Sequence, residues 1–341
     1  MSTLAPQDES SANLQDAGCR HIHLEMDNEG VNPISDLVMK RRLSKLYGEI
    51  NPNLILHYTI KPVIYGSMAA AKLGIPFINN ITGLGTAFIK TNWLTWLVQG
   101  LYRVSQKNAV HVLFQNADDR ELFKREKLIS EDVPQEVIPG TGIDTDYFKV
   151  RPYPESYPVT FLLIARMLWD KGVGEFVEAA RQIKLEFSDV RFQLLGFLDV
   201  INRTAISRQQ MQVWEDEGII EYLGQTKDVR PYTRDAHCVV LPSYREGLPR
   251  TLLEAAAMGR PIITTDVTGC REVVEHGVNG YLCKARDAND LAQKMSDMIK
   301  LSTDERRDMG LRGWEKVEKE FDEKIIVQKI VNRIESVLNT A

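Results

Sequence analysis

Cysteine is scarce in this chain: Cys19, Cys238, Cys270 and Cys283 are the only four in 341 residues. No two of them stand at the spacing of a zinc or redox pair, and four are few for a secreted domain stapled by disulfides. A reducing, cytoplasmic setting suits them. The chain also lacks any run of about 18 apolar residues, so it contains no span for a bilayer. Its opening stretch, MSTLAPQDESSANLQDAGCRH, has neither the basic start nor the apolar segment of a secretory signal. An excess of positive charge is missing as well. With 42 Lys and Arg against 47 Asp and Glu the formal net charge is -5, which argues against a nucleic-acid partner, because such affinity is built from cations on phosphates. Two motifs are absent too. Without Gly-x-Gly-x-x-Gly and an acidic residue on the following strand, an NAD-dependent dehydrogenase drops far down the order of readings, and His-Glu-x-x-His is nowhere to be found.

What is present describes a folded chain of ordinary composition, 43% hydrophobic and 26% charged. The length suits two domains of roughly 150 residues each. Short apolar runs alternate with helix-like segments from end to end, the pattern of parallel strands covered by helices. In the first half the runs are Ile22 to Met26, Leu54 to Tyr58, Pro76 to Ile81, Val110 to Phe114 and Glu136 to Pro139. In the second they are Val159 to Ala165, Arg191 to Gly196, Ile219 to Leu223, Cys238 to Pro242 and Pro261 to Thr265. Between the two series lies RPYPESYP, a proline-rich linker. The expected domains are therefore residues 1–150 and 151–320, both Rossmann-like α/β units. Residues 321–341 form an amphipathic helix that braces the two, with Ile325, Ile326, Ile330, Val331, Ile334 and Val337 at near-helical spacing. A doubly wound domain grows outward from a first strand whose turn lies beside the ligand crevice. Ahead of Cys19 there is no apolar run long enough to supply that strand and its glycine loop, so the first domain is expected to be incomplete.

The strongest chemical signal is PSYREGLPRTLLEAAAMGRPIITTD, residues 242–266, which joins a strand to a helix to a strand. Pro249 suits the first turn of the helix and Gly259 its exit. Gly247 and Leu248 then offer backbone N–H groups at a helix N-terminus, where phosphate is attracted by unpaired donors and by the macrodipole. Glu246 precedes this helix and Glu254 lies within it. Carboxylates accept hydrogen bonds from sugar hydroxyls, so the set suits a ligand that is part phosphate and part polyol, although the same two residues also read as ordinary helix-capping and solvated acids. In FLLIARMLWDKGVGEF, residues 161–176, Arg166 follows a strand and Lys171 precedes a helix; two cations at a strand end can neutralise a diphosphate. In the first half, Thr59 and Lys61 occupy one strand edge, and Thr82, Gly83 and Gly85 another. The segment Asn92 to Val112, with Trp93, Leu94, Trp96, Leu97, Leu101 and Tyr102 near Lys90, Arg103 and Lys107, suits either an interfacial helix on a membrane surface or a core-facing one.

Arg166 with Lys171, the spacing of Glu246 and Glu254, and PGTGIDTDYF at residues 139–148 together resemble the retaining GT-B glycosyltransferases of family four. The resemblance implies two Rossmann-like domains facing a cleft. It implies that Glu246 approaches the donor sugar, that Glu254 binds the ribose, and that Arg166 and Lys171 hold the diphosphate, with Gly247, Leu248, Gly140 and Gly142 completing the donor site. Glu246, Arg166 and Lys171 become the catalytic set. HYTIKPVIYGS, residues 57–67, and NNITGLGTAF, residues 79–88, are similar to bacterial transferases that extend undecaprenyl-diphosphate-linked saccharides with galactose or N-acetylgalactosamine, which places the acceptor at Thr59, Lys61, Thr82, Gly83 and Gly85. The implied donor is a UDP-sugar, with no cofactor and no metal. The implied acceptor is an undecaprenyl-diphosphate-linked saccharide at the inner face of the plasma membrane, as in surface glycan synthesis. Family members carry roughly three dozen further residues, a strand, a glycine loop and a helix, before the part that matches here, taking elements of ordinary length. A nucleotide-sugar-binding or assembly subunit without turnover is the alternative reading. Asp144 either orients the glycine loop or bonds local backbone, and His57 and His237 have no assigned role.

Overall fold

The computed structural model describes residues 1–8, 10–26, 33–84, 93–155, 157–200 and 202–340. Its first strand, β1 (Ser2–Ala5), is followed by helix α1 (Ser10–Asp16) and by β2 (Arg20–His23), which pairs with β1 in parallel. The expectation that nothing strand-like precedes Cys19 is thereby corrected. Ser-Thr-Leu-Ala has no apolar run to announce it; pairing with β2 makes it a strand, and three of its four residues are only partly buried.

Helix α2 (Pro33–Ile50) leads to β3 (Ile55–Tyr58), a π-helical turn (Pro62–Gly66) and α3 (Ser67–Leu73). Then follow β4 (Phe77–Ile81), α4 (Trp93–Gln106), β5 (His111–Phe114), α5 (Ala117–Arg125) and β6 (Gln135–Val137). β3 to β6 form a four-stranded sheet in sequence order, separate from the β1–β2 pair. All five residues of β4 and all four of β5 are buried, the signature of strands covered on both faces.

The second half begins with β7 (Val159–Ile164), a 3-10 turn (Trp169–Lys171), α6 (Val173–Glu186), β8 (Val190–Leu195), α7 (Arg208–Asp216), β9 (Glu221–Tyr222) and α8 (Arg230–Asp235). It continues with β10 (Cys238–Leu241), α9 (Arg250–Ala257), β11 (Ile262–Thr265), β12 (Gly280–Cys283), α10 (Ala288–Lys300), α11 (Thr303–Glu320) and α12 (Glu323–Thr340). Its six strands run in the order β12-β11-β10-β7-β8-β9, all pairings parallel. The chain leaves β7 toward β8 and β9 on one side and returns to β10, β11 and β12 on the other. The crevice between the C-terminal ends of β7 and β10 is therefore the switch point, where open α/β sheets bind ligands. One face of this sheet is covered by α6 and α10 through Phe176, Ile183, Leu291 and Met295, and the other by α9 and α11 through Leu252, Ala256 and Val317.

The last helix crosses back. Ile326 is buried among Ile78 and Leu113 of the four-stranded sheet and Ile138 just beyond it, with Ile330, Ile334 and Val337 packed beside it. Arg333 donates to Glu136 of β6 at 2.6 and 3.0 Å. At its start the backbone of Ile143 exchanges hydrogen bonds with Phe321 and Glu323. Gly142, at φ 73°, lies so close that a Cβ there would sit 2.6 Å from Glu323 Cα. Phe321, expected to open the last helix, instead ends α11, and α12 starts at Glu323.

Candidate functional site

The switch point gathers the residues singled out by their spacing. β7 ends at Ile164, Arg166 stands exposed just beyond it, and the 3-10 turn brings Lys171 back over the strand end. β10 ends at Leu241 and its loop carries Glu246 to the same place: Lys171 Nζ donates to Glu246 Oε1 at 2.5 Å, both side chains largely shielded from solvent. The proposed diphosphate cation and the proposed sugar carboxylate are thus ion-paired in this structure. The loop is anchored from below, since Tyr244 N donates to Asp170 O at 2.9 Å and Glu246 N to Thr268 O at 3.1 Å.

Helix α9 starts after Pro249, which occupies the N-cap with extended backbone rather than the first helical position. Gly247 and Leu248 accordingly precede an open helix N-terminus. No side chain caps it. Glu254, one turn into the helix, is buried at 9% exposure and accepts from Arg250 Nε at 3.0 Å. Burial raises its carboxyl above the usual range, with Arg250 pulling the other way. The two line a cavity of about 430 Å³ together with Asp144, Tyr147, Lys227 and Asp228. Arg250 was not among the residues read from sequence, yet its i,i+4 spacing to Glu254 was a legible signal.

The first half meets this site through backbone. A Cβ on Gly247 would run into Thr82 O and lie 2.8 Å from Gln115 Oε1, and one on Gly83, at φ 113°, would lie 3.0 Å from Gly247 Cα. Close approach of two backbones requires glycine on both sides. Gly140, at φ 64°, packs on Leu248, so it touches the donor loop, whereas Gly142 is taken up by the start of α12. Thr59 is exposed at the end of β3 with φ 65°, an uncommon backbone for a β-branched residue. Lys61 is buried, its amine 3.0 Å from Asp36 Oδ1, and Tyr65 donates to the other oxygen of Asp36 at 2.9 Å. That amine already has its counter-ion within the protein. Gly85 and Lys90 lie outside the described residues.

The remaining candidates resolve into structure. Asp144 accepts from the backbone N–H of Asp146 and of Tyr147, both at 2.9 Å, so it shapes its own turn. His237 Nδ1 accepts from Thr160 N at 3.1 Å. His57 lies between Tyr47 and Asn79 in a buried network, where burial pushes its pKa down to about 4. Since Asn79 Oδ1 only accepts, His57 carries its proton on Nδ1 and receives the Tyr47 hydroxyl on Nε2. Among the described residues no group of three His, Cys, Asp or Glu is placed to share a metal ion.

Two family profiles match this chain: Glycosyl transferase 4-like over residues 3–116 and Glycosyl transferases group 1 over residues 158–300. The chain is 29% identical, over 98% of its own length and 90% of the relative's, to the N,N'-diacetylbacillosaminyl-diphospho-undecaprenol alpha-1,3-N-acetylgalactosaminyltransferase of Campylobacter jejuni. Its structure superposes on a sucrose-phosphate synthase from Thermosynechococcus elongatus with a TM-score of 0.80 at 17% identity, covering 95% of this chain and 85% of that one. An Anabaena HepE protein, solved in complex with UDP and glucose, superposes with a TM-score of 0.76 at 18% identity, covering 95% and 88%. At such identities the superpositions speak for the fold.

Proposed function

Because the chain belongs to the group 1 glycosyltransferases of GT-B architecture, we propose that it moves a hexose or N-acetylhexosamine from a UDP-sugar to a lipid-diphosphate-linked saccharide, with retention at the anomeric carbon and without an obligatory metal. The observation that carries this reading is the meeting of Lys171 and Glu246 at the switch point, beside an uncapped helix N-terminus and 75 residues apart in the chain. A diphosphate entering there finds Arg166, Lys171 and the N–H groups of Gly247 and Leu248, fixed positive groups of the kind that stabilise charge growing on a leaving group. The ribose lies toward Glu254 and Arg250, and Glu246 takes hydroxyls of the donor sugar. The bond from the anomeric carbon to the diphosphate breaks while the bond to the acceptor oxygen forms on the same face, and the acceptor proton passes to the departing diphosphate. No protein nucleophile takes part.

The activity for which the Campylobacter jejuni relative is named, on a diphospho-undecaprenol saccharide, supports a lipid-linked acceptor, and one face of the first half suits a membrane surface. Helix α4 buries Val98 and Tyr102 but exposes Trp96 at 70% and Val104 at 60%. Beside it a concavity of about 670 Å³ is lined by Arg103, Lys107, Lys124 and Lys127, a combination suited to anionic headgroups. Among the described residues no helix is long and apolar enough to cross a membrane.

The test is incubation of the purified chain with labelled UDP-sugars and an undecaprenyl-diphosphate-linked saccharide, with UDP binding followed in parallel by calorimetry. We expect sugar to pass to the lipid-linked acceptor. Binding of UDP without transfer from any donor would favour the alternative of a nucleotide-sugar-binding subunit.

A further inference from the structure

The loop that presents Glu246 is held from the opposite domain. Helix α5 begins at Asn116, whose Oδ1 accepts from Asp119 N at 2.7 Å. The amide of the same Asn116 donates to Asp119 Oδ2 at 3.0 Å and to Gly247 O at 2.9 Å. The Asp119 side chain is fully shielded from solvent and accepts from Arg245 Nη2, one residue before Glu246. The Nε of Arg245 is buried with no partner among the described residues, so Asp119 is the group that balances this cation. On the other side of the helix start, Asp118 Oδ2 accepts from Thr268 Oγ1 at 2.9 Å and from Arg271 Nη1 at 2.8 Å. The second loop matters because it supports the first: Thr268 O receives Glu246 N, and Gly269 has no room for a Cβ beside Glu246 O. One helix start therefore grips both the loop that carries Glu246 and Gly247 and the loop that supports it, across the boundary between the two sheets.

From this geometry we propose that Asp119, with Asn116 and Asp118, forms an interdomain latch of positioning residues that sets the Arg245–Gly247 loop for transfer. It touches neither sugar nor phosphate. Its part is to fix the carboxylate of Glu246 and the N–H of Gly247 when the first half closes on the second, so that both stand where charge develops. A misplacement of about 1 Å at a reacting group is enough to lower rates by two orders of magnitude. The negative charge of Asp118 and Asp119 also favours the α5 N-terminus on its own account, which explains their presence without explaining their choice of partners. Stabilising one helix needs no contact with Arg245, Thr268 or Arg271, all more than 120 residues away.

The proposal rests on the transferase reading, and the test separates the two. Asp119→Asn and, as a half-exposed position that spares the core, Asp118→Asn are made in the full chain. Amide hydrogen exchange is measured over residues 243–249 and 266–271, alongside donor turnover and UDP affinity. We expect exchange in both loops to quicken at least tenfold while the sheet from Val159 to Thr265 is unchanged. Turnover should fall tenfold or more with UDP affinity within about threefold of the parent. Unaltered loop exchange in both variants would overturn the latch. So would loss confined to thermal stability, with turnover and the Michaelis constant both intact, because that is the signature of a merely structural pair. If the parent chain transfers no sugar and the loops nonetheless loosen, the latch stands and the transferase reading fails.

Discussion

Glu254 illustrates how one side chain ties the site to the solvent. Its burial raises the carboxyl above the usual glutamate range of about 4.5, with Arg250 opposing. Ionised, it is an acceptor for two hydroxyls; protonated, it loses that capacity in part. Glu254→Gln should weaken UDP binding by about 1.5 to 3 kcal/mol, the worth of a charge-assisted hydrogen bond. On acidification the parent should lose affinity earlier than an ordinary glutamate would, and the Gln variant should not. Calorimetry between pH 5 and pH 8 that gave parallel curves for the two proteins would remove Glu254 from the nucleotide. His57 makes the complementary case for stability. Its folded pKa, pushed down to about 4 by burial, lies below the value of about 6.5 for an unfolded histidine. The unfolded chain therefore binds the proton first, and stability falls as pH drops from about 6.5 toward 4, by on the order of 3 kcal/mol. His111, lowered to about 4 by burial and by Arg333, adds a loss of the same sign. Thermal melts across that range should flatten in part in His57→Gln, and an unchanged slope would mean that protonation of this buried imidazole is not what costs the fold its stability in acid.

At the scale of elements, strands with continuous apolar runs were legible and those without were not. Val-Thr-Phe-Leu-Leu-Ile, residues 159–164, is buried throughout, because a central parallel strand faces helices on both sides. Ser-Thr-Leu-Ala and Gly-Tyr-Leu-Cys, residues 2–5 and 280–283, are short and lie at sheet edges, so pairing rather than composition makes them strands. Among the described residues the β1–β2 pair has no third strand in its sheet, and no residue of either strand is fully buried. Two-stranded ribbons are marginal by themselves. We expect amide exchange over residues 2–5 and 20–23 to run at least a hundredfold faster than over β7 and β8, since local opening there breaks few apolar contacts. Equal protection would show that β1 and β2 are fastened by contacts stronger than their burial indicates.

For the whole molecule the decisive member is α12, which leaves the second half and packs on the sheet of the first. Ile326 is fully buried among Ile78 of β4, Leu113 of β5 and Ile138 just beyond β6, so Ile326→Ala should cost about 2 to 4 kcal/mol, the usual range for emptying a core position. The loss should fall on one side. Exchange in β4 and β5 should rise while β7, β8 and β10, whose core contains no α12 residue, keep their protection. Uniform loosening of both sheets would mean that the halves unfold as one unit and that the helix acts on the molecule as a whole. Arg333 with Glu136 is half-exposed and should contribute about 1 kcal/mol or less.

The sequence by itself determined the fold class, because alternation of apolar runs with amphipathic stretches admits few architectures other than parallel sheets between helices. It also marked Arg166, Lys171, Glu246 and Glu254 as chemistry-bearing, through strand ends and helix starts that follow from local pattern. Only the tertiary structure decided their company. That Lys171 pairs with Glu246, that Lys61 is matched with Asp36, that Gly142 serves α12, and that Asp119 reaches Arg245 all depend on contacts between residues distant in the chain. The first two contacts follow from how strand ends and helices gather within one half and the last two from how the halves are set against each other, and no local periodicity encodes a partner so far along the chain.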